Sequence, residues 1–182
     1  MALTKTAFQC LALQDFTDAI VRTYSLDLGG SVDPNAIQTL QNAKNAGLGT
    51  HGYMVLCRNG DPNSHVDAVL NAIPHNLMEA LWFKVVPNST PGCLWSDYSH
   101  ADNCAFLTQA LNHFHSLISY GMTSGVFSTA SIWNRFFVSS CNTISTHGIL
   151  WYAYYNSDDQ VNSVESFADF TPFGGFQGPY LK

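Results

Sequence analysis

Aromatic and cationic side chains at the ends of apolar runs are where this sequence could do chemistry. Arg22 and Tyr24 close the run 18–24, Tyr53 sits inside 51–57, and Tyr155 and Asn156 follow 148–154. Aromatic side chains suit sugar rings because they bury apolar area and keep a polar handle. Packing competes with binding at each position, and Trp82 and Trp151 read as core. Acids are sparse: Asp97 stands in Leu94-Trp95-Ser96-Asp97-Tyr98-Ser99, and Asp158-Asp159 reads as a solvated loop pair. No Cys-x-x-Cys occurs, and His113 and His115 fall on different faces of one helix, so no metal site is expected. A Gly-x-Gly-x-x-Gly turn and a phosphate loop are both missing, which leaves a nucleotide cofactor without support.

Those residues need a scaffold. Runs 18–24, 51–57, 80–86, 122–127 and 148–154 read as strands, and 34–46, 64–73, 105–118 and 131–137 as helices. Asp33 is placed to cap the first helix, with Pro34 in its first turn and Gly47 closing it. Ala36, Ile37, Leu40, Ala43 and Ala46 keep helical spacing along it. Segment 87–103 is rich in Pro, Gly, Ser and Asp and reads as a long loop, and the chain from Phe167 onward as loop and edge structure. The strand–helix–strand order predicts parallel strands with crossover helices. The continuous apolar run 148–154 fits a sheet buried on both faces. A barrel and a doubly wound open sheet both satisfy this pattern. No repeat or linker divides the chain, so residues 1–182 read as a single domain.

Composition narrows the setting. Charged residues make up only 11% of the 182 residues, against 46% hydrophobic, far below the roughly 25% charged usual in soluble domains. Such a surface must rely on Asn, Ser, Thr, Gln and Tyr. It suits an extracellular protein, a glycan-facing one, or one that buries itself in an assembly. The net charge of -6, with no basic patch, argues against nucleic acid. No apolar run reaches the roughly 18 residues of a membrane span, and residues 1–6 do not read as a signal peptide. Five cysteines leave one over. Cys93 and Cys104 flank the polar loop 94–103, which a disulfide between them would staple; Cys10, Cys57 and Cys141 stay unassigned. Asn88-Ser89-Thr90 is an N-glycosylation sequon and, with the cysteines, supports a secreted glycoprotein.

The ordered set Phe8-Gln9-Cys10-Leu11, Ala19-Ile20-Val21-Arg22 with Tyr24, Asn42-Ala43 with Ala46-Gly47-Leu48, Leu81-Trp82, Tyr120-Gly121, Gly125-Val126-Phe127, Leu150-Trp151-Tyr152-Ala153 with Tyr155, and Phe173-Gly174-Gly175-Phe176 spans nearly the whole chain. It resembles the family-25 glycoside hydrolases, in particular their animal and amoebal lysozymes. The resemblance implies an α/β fold, an irregular TIM-like barrel whose sugar-binding cleft lies at the C-terminal strand ends, as in such barrels generally. It implies a peptidoglycan or chitin-like glycan as partner, and an innate-immunity setting.

The departures from that family decide the functional expectation. The central strand of the family reads Trp-x-Asp-x-Glu; here Lys84 and Val86 stand for the two acids. Asn156 stands where a further acid follows the Trp-x-Ala-x-Tyr strand. The resemblance also implies a preceding strand with a Gly-x-Asp, and a final strand with a Cys that would pair with Cys10. Glycoside hydrolysis needs a carboxylic acid to protonate the leaving oxygen, and a second carboxylate or the substrate's acetamido group to support the oxocarbenium-like centre. Val86 has no proton to give, and Lys84 would oppose the developing positive charge. Loss of the general acid alone costs roughly 10²–10⁴-fold, so the expected protein is a pseudoenzyme that binds glycan through Arg22, Tyr24, Tyr53, Lys84, Tyr155 and Asn156. Two rivals remain. Aligning Trp95-Ser96-Asp97 instead keeps Asp97 as an acid, with Ser99 in place of the Glu, and leaves an active lysozyme; a Pro-, Gly- and Ser-rich loop makes a poor barrel strand. Low charge, an unpaired Cys and open sheet edges would instead favour self-association into oligomers or filaments.

Overall fold

The structure, a computed structural model, describes residues 2–26, 30–118, 121–153 and 167–181. Helix α1 (Lys5–Ala12), a helix the sequence pattern did not predict, begins where Thr4 Oγ1 accepts from the Ala7 N–H. It buries Phe8 against Ala43 and Leu48. The chain then runs through β1 (Asp18–Ser25), β2 (Ser31–Val32), α2 (Ala36–Asn45), β3 (Gly49–Met54), α3 (Pro62–Ala72), β4 (Ala80–Lys84), α4 (His100–Leu117), β5 (Thr123–Ser128), α5 (Ala130–Phe136) and β6 (Ile149–Tyr152). The six strands form one sheet in the order β2-β1-β3-β4-β5-β6. Every pairing is parallel except β1 with the short β2. Each parallel strand is reached through a helix, as the alternation of runs implies. Among the described residues β2 and β6 are the two edges of the sheet, and no pairing joins them.

Helix starts depart from the sequence reading where side chains have other work. Asp33 does not cap α2; its carboxylate takes the Asn35 N–H and the Arg22 guanidinium, and the helix begins at Ala36. Asp61 caps α3 through the Asn63 and Ser64 N–H groups, with Pro62 in the first turn, where a missing N–H costs nothing. Ser99 caps α4 through the Asp102 N–H, which starts that helix at His100, five residues before the expected start at Ala105.

The main core lies between the helices and one face of the sheet. Leu81 and Phe83 of the central strand, with Val85 just after it, meet Leu107, Leu111 and Phe114 of α4, with Val126 and Leu150 beside them. Period-two alternation sends Trp82 and Lys84 to the opposite face. Trp82 is fully buried there; its indole N–H donates to His51 Nδ1 at 3.2 Å, and its ring stands edge-on to Trp151. The register sets Gly125 against Trp82. A Cβ at Gly125 would fall 2.2 Å from Trp82 Cζ3, and a buried indole held by a hydrogen bond has no easy retreat. Gly125→Ala should therefore cost about 1–3 kcal/mol, read as a lower urea midpoint; an unchanged midpoint would mean that Trp82 moves freely.

The disulfide expected between Cys93 and Cys104 does not form. Both residues are bridged, but Cys57 pairs with Cys93 and Cys104 with Cys141. Cys93 sits beside the segment leaving β3, and Cys104 is in the second turn of α4, bonded to the chain that follows α5. Proximity in sequence across a loop was the wrong guide; the bridges tie the loop ends to other elements. Cys10 is free and exposed on α1.

Candidate functional site

The ends of β1, β3, β4 and β5 gather most of the residues singled out above. The parallel register sets Arg22 beside Tyr53, and Lys84 beside Phe127. The Lys84 ammonium lies 5.1 Å from the Tyr53 ring centroid and 5.0 Å from that of Phe127, within cation–π range. Trp151 extends this aromatic wall, edge-on to Phe127 with centroids 4.5 Å apart. Lys84 is half-buried, and burial holds its ammonium below the ordinary lysine value. Among the described residues no carboxylate comes within ion-pair distance of it.

Arg22 is the second cation on this face. Its Nε and Nη2 both lie 2.8 Å from Asp33 Oδ2. Burial alone would raise the Asp33 carboxyl; the Asn35 backbone N–H and the Arg22 guanidinium outweigh it and hold the group below its usual value. Asp33 is thus a fixed carboxylate that the sequence reading had assigned to helix capping. The signal was the β1–β2 hairpin: it sets Tyr24 opposite Val32 and brings the Asp33 N–H to the Thr23 carbonyl.

A groove of about 540 Å³ adjoins these residues. It is lined by five consecutive residues of β1, Asp18 to Arg22. Successive strand side chains point to opposite faces, so the groove follows the strand's open edge. Leu3, Phe8, Leu11 and Phe16 form its apolar wall, and Asp33, Asn35 and Tyr53 its polar side.

Tyr24, expected at the mouth, is buried in the main core with its ring 5.3 Å from His65. Two residues apart on a regular strand, Arg22 and Tyr24 would share a face; a register shift between them separates the two. Asp97 lies in a short 3₁₀ turn, Trp95–Asp97, and is exposed. That turn belongs to the connection between β4 and α4, while the segment carrying Lys84 is the central strand. Trp95 serves as core, against Phe106 and Phe137. Tyr155, Asn156, Asp158 and Asp159 lie outside the described residues. Asn88 is half-buried; its Nδ2 donates to the Cys93 carbonyl at 3.1 Å. His113 and His115 go to different partners, the Asp67 carboxylate and the Ser124 hydroxyl. Among the described residues no His, Cys, Asp or Glu cluster could hold a metal ion.

The sequence model of a family described as "Lysozyme-like protein 1" matches residues 1–182. The chain belongs to this lysozyme-like family. It is 29% identical over 181 residues to "Probable GH family 25 lysozyme 4" of Dictyostelium discoideum, covering 96% of this chain and 75% of that protein. Among solved structures it is similar to a muramidase from Acremonium alcalophilum, with a TM-score of 0.73 at 12% identity over 94% of this chain and 77% of the other. A family GH25 lysozyme from Aspergillus fumigatus gives 0.60 at 18% identity, over 82% and 71%. These likenesses establish the TIM-like α/β fold of the lysozyme-like chain. No helix among its described residues is long and apolar enough to cross a membrane.

Proposed function

We propose that this lysozyme-like chain is a secreted glycan-binding protein that does not hydrolyse its ligand. The observation that carries the reading is Lys84: an ammonium flanked by Tyr53 and Phe127 on the central strand, where the family pattern calls for an acid. A cation there opposes an oxocarbenium-like transition state. The next residue toward the mouth that could act is Val86, which has no ionisable group. Asp33 does not replace the missing general acid, because its partners keep it ionised and a general acid must begin protonated. The half-buried aromatic side chains on this face, Tyr53 and Trp151, suit apolar sugar faces, with the buried Phe127 backing them. Two disulfides and the Asn88 sequon support a secretory route. A sugar on Asn88 Nδ2 would leave one N–H, enough for the bond to Cys93.

The test is one assay with two readouts on the purified chain: binding and reducing-end release with chitin oligomers and peptidoglycan. Binding without release is the expected result. Release at a rate typical of active lysozymes would overturn the reading and turn attention to Asp97. Self-association is the rival favoured by a specific observation. Leu3, just before α1, Leu11 within it, and Leu13 and Phe16 just after it are all exposed, on the segment that carries the free Cys10. Oligomers in sedimentation runs, without sugar affinity, would support that rival.

A further inference from the structure

We propose that Lys84 makes this face selective for carboxylated saccharides, its ammonium taking the sugar's carboxylate while the half-buried Tyr53 holds the adjoining ring. The inference rests on the glycan-binding reading above and names the ligand class that the same site prefers. A half-buried ammonium has given up part of its hydration, and such groups are normally paired or hydrogen-bonded. Here the two aromatic rings are the contacts found, at 5.1 and 5.0 Å, and no carboxylate of the described residues reaches Lys84. The other cation on this face is already occupied, since Arg22 is bound through two nitrogens to Asp33. Lys84 therefore has three N–H donors and its charge to offer, next to the half-buried Tyr53 ring, which can stack a pyranose. A carboxylate would complete it with a charge-assisted hydrogen bond, which is roughly twice as strong as a neutral one.

The net charge of -6 does not oppose this. At physiological ionic strength charges beyond about 8 Å are largely screened, so the local cation decides. A neutral oligosaccharide can still stack on the aromatic wall. The added carboxylate is what Lys84 reads, and it has two natural sources, the lactyl ether of a muramic acid residue or the ring carboxylate of a uronic acid.

Titration calorimetry with four tetrasaccharides separates these. Chitotetraose is the neutral reference. A tetrasaccharide alternating N-acetylglucosamine with N-acetylmuramic acid keeps the same backbone and adds lactyl carboxylates; its methyl ester keeps the lactyl group and removes the charge. A hyaluronan tetrasaccharide carries the carboxylate on the ring. The native chain should bind at least one free acid roughly tenfold more tightly than chitotetraose, and which acid wins identifies the source. If the muramic arm wins, its methyl ester should fall back to the level of chitotetraose; in either case the preference should shrink as salt rises. Lys84→Met should abolish the preference for the free acid over chitotetraose, and Lys84→Arg should keep it. Equal affinity for acids and chitotetraose, or a preference that survives in Lys84→Met, would overturn the inference and leave glycan binding standing. No binding of any tetrasaccharide by the native chain would remove both.

Discussion

Asn103→Ala should unfold this protein in markedly less urea, with a loss of roughly 3–5 kcal/mol. Asn103 is fully buried in α4. Its Oδ1 accepts from Arg58 Nε at 2.7 Å, and its Nδ2 donates to the carbonyls of Trp95 and Phe136, each at 2.9 Å. One amide thus ties together the segment after β3, the turn before α4, and the end of α5. Truncation leaves three buried groups without these bonds, and each costs about 1–3 kcal/mol when unsatisfied. Arg58 makes the loss heavier. It is buried among Tyr98, Phe106 and Trp95, with its guanidinium 3.9 Å from the Tyr98 ring centroid. Burial depresses its pKa, with Tyr98 and Asp102 opposing that shift, yet an arginine stays protonated in proteins. A buried charge stripped of its acceptor is among the costlier defects a point change can make. For a chain of this size the loss corresponds to a Tm lower by on the order of 10 °C. A loss below about 1 kcal/mol would show that water reaches Arg58 and takes over the bond.

Much of this architecture could be read from local pattern, and the failures have a common cause. Apolar runs and helical spacing located five parallel strands and four of the helices, because a buried strand and an amphipathic helix each leave a mark within a few residues. Helix α1 was missed because it is only eight residues long and buries only Phe8. The pairings that build the site join residues distant in sequence. Cys57 and Cys93 are 36 residues apart, and Cys104 and Cys141 are 37 apart. Arg58 and Asn103 are likewise joined only by the fold. Asp33 carried a strong local signal for helix capping that lost to Arg22 on the neighbouring strand. Tyr24 followed the alternation rule until a register shift turned it into the core. The place of Lys84 on the central strand, by contrast, was legible in the sequence: it ends β4, at a position where the family resemblance implies an acid.

Putting both acids back, Lys84→Asp with Val86→Glu, should leave reducing-end release from peptidoglycan at the level of the unmodified chain. The obvious expectation is the reverse, since a general acid is worth roughly 10²–10⁴-fold. The geometry argues against it. Lys84 fits its niche because the Tyr53 and Phe127 ring faces carry negative potential, which favours an ammonium. The same faces repel a carboxylate, so the introduced aspartate would turn away from the rings or take up a proton. Strand β4 ends at Lys84. Position 86 lies beyond the strand's paired residues, so a glutamate there would not be held to the fraction of an ångström that proton transfer to a glycosidic oxygen demands. Asp33, a fixed carboxylate on this side of the sheet, is committed to Arg22, which holds it ionised. Two acids of the right kind would therefore be present without the pair of environments that gives one a raised pKa and leaves the other charged. A near-UV spectrum matching the unmodified chain would confirm that the double variant is folded. A rise in turnover of roughly 10²-fold or more would then show that the rest of the catalytic apparatus survives, and that only two side chains separate this protein from a working muramidase.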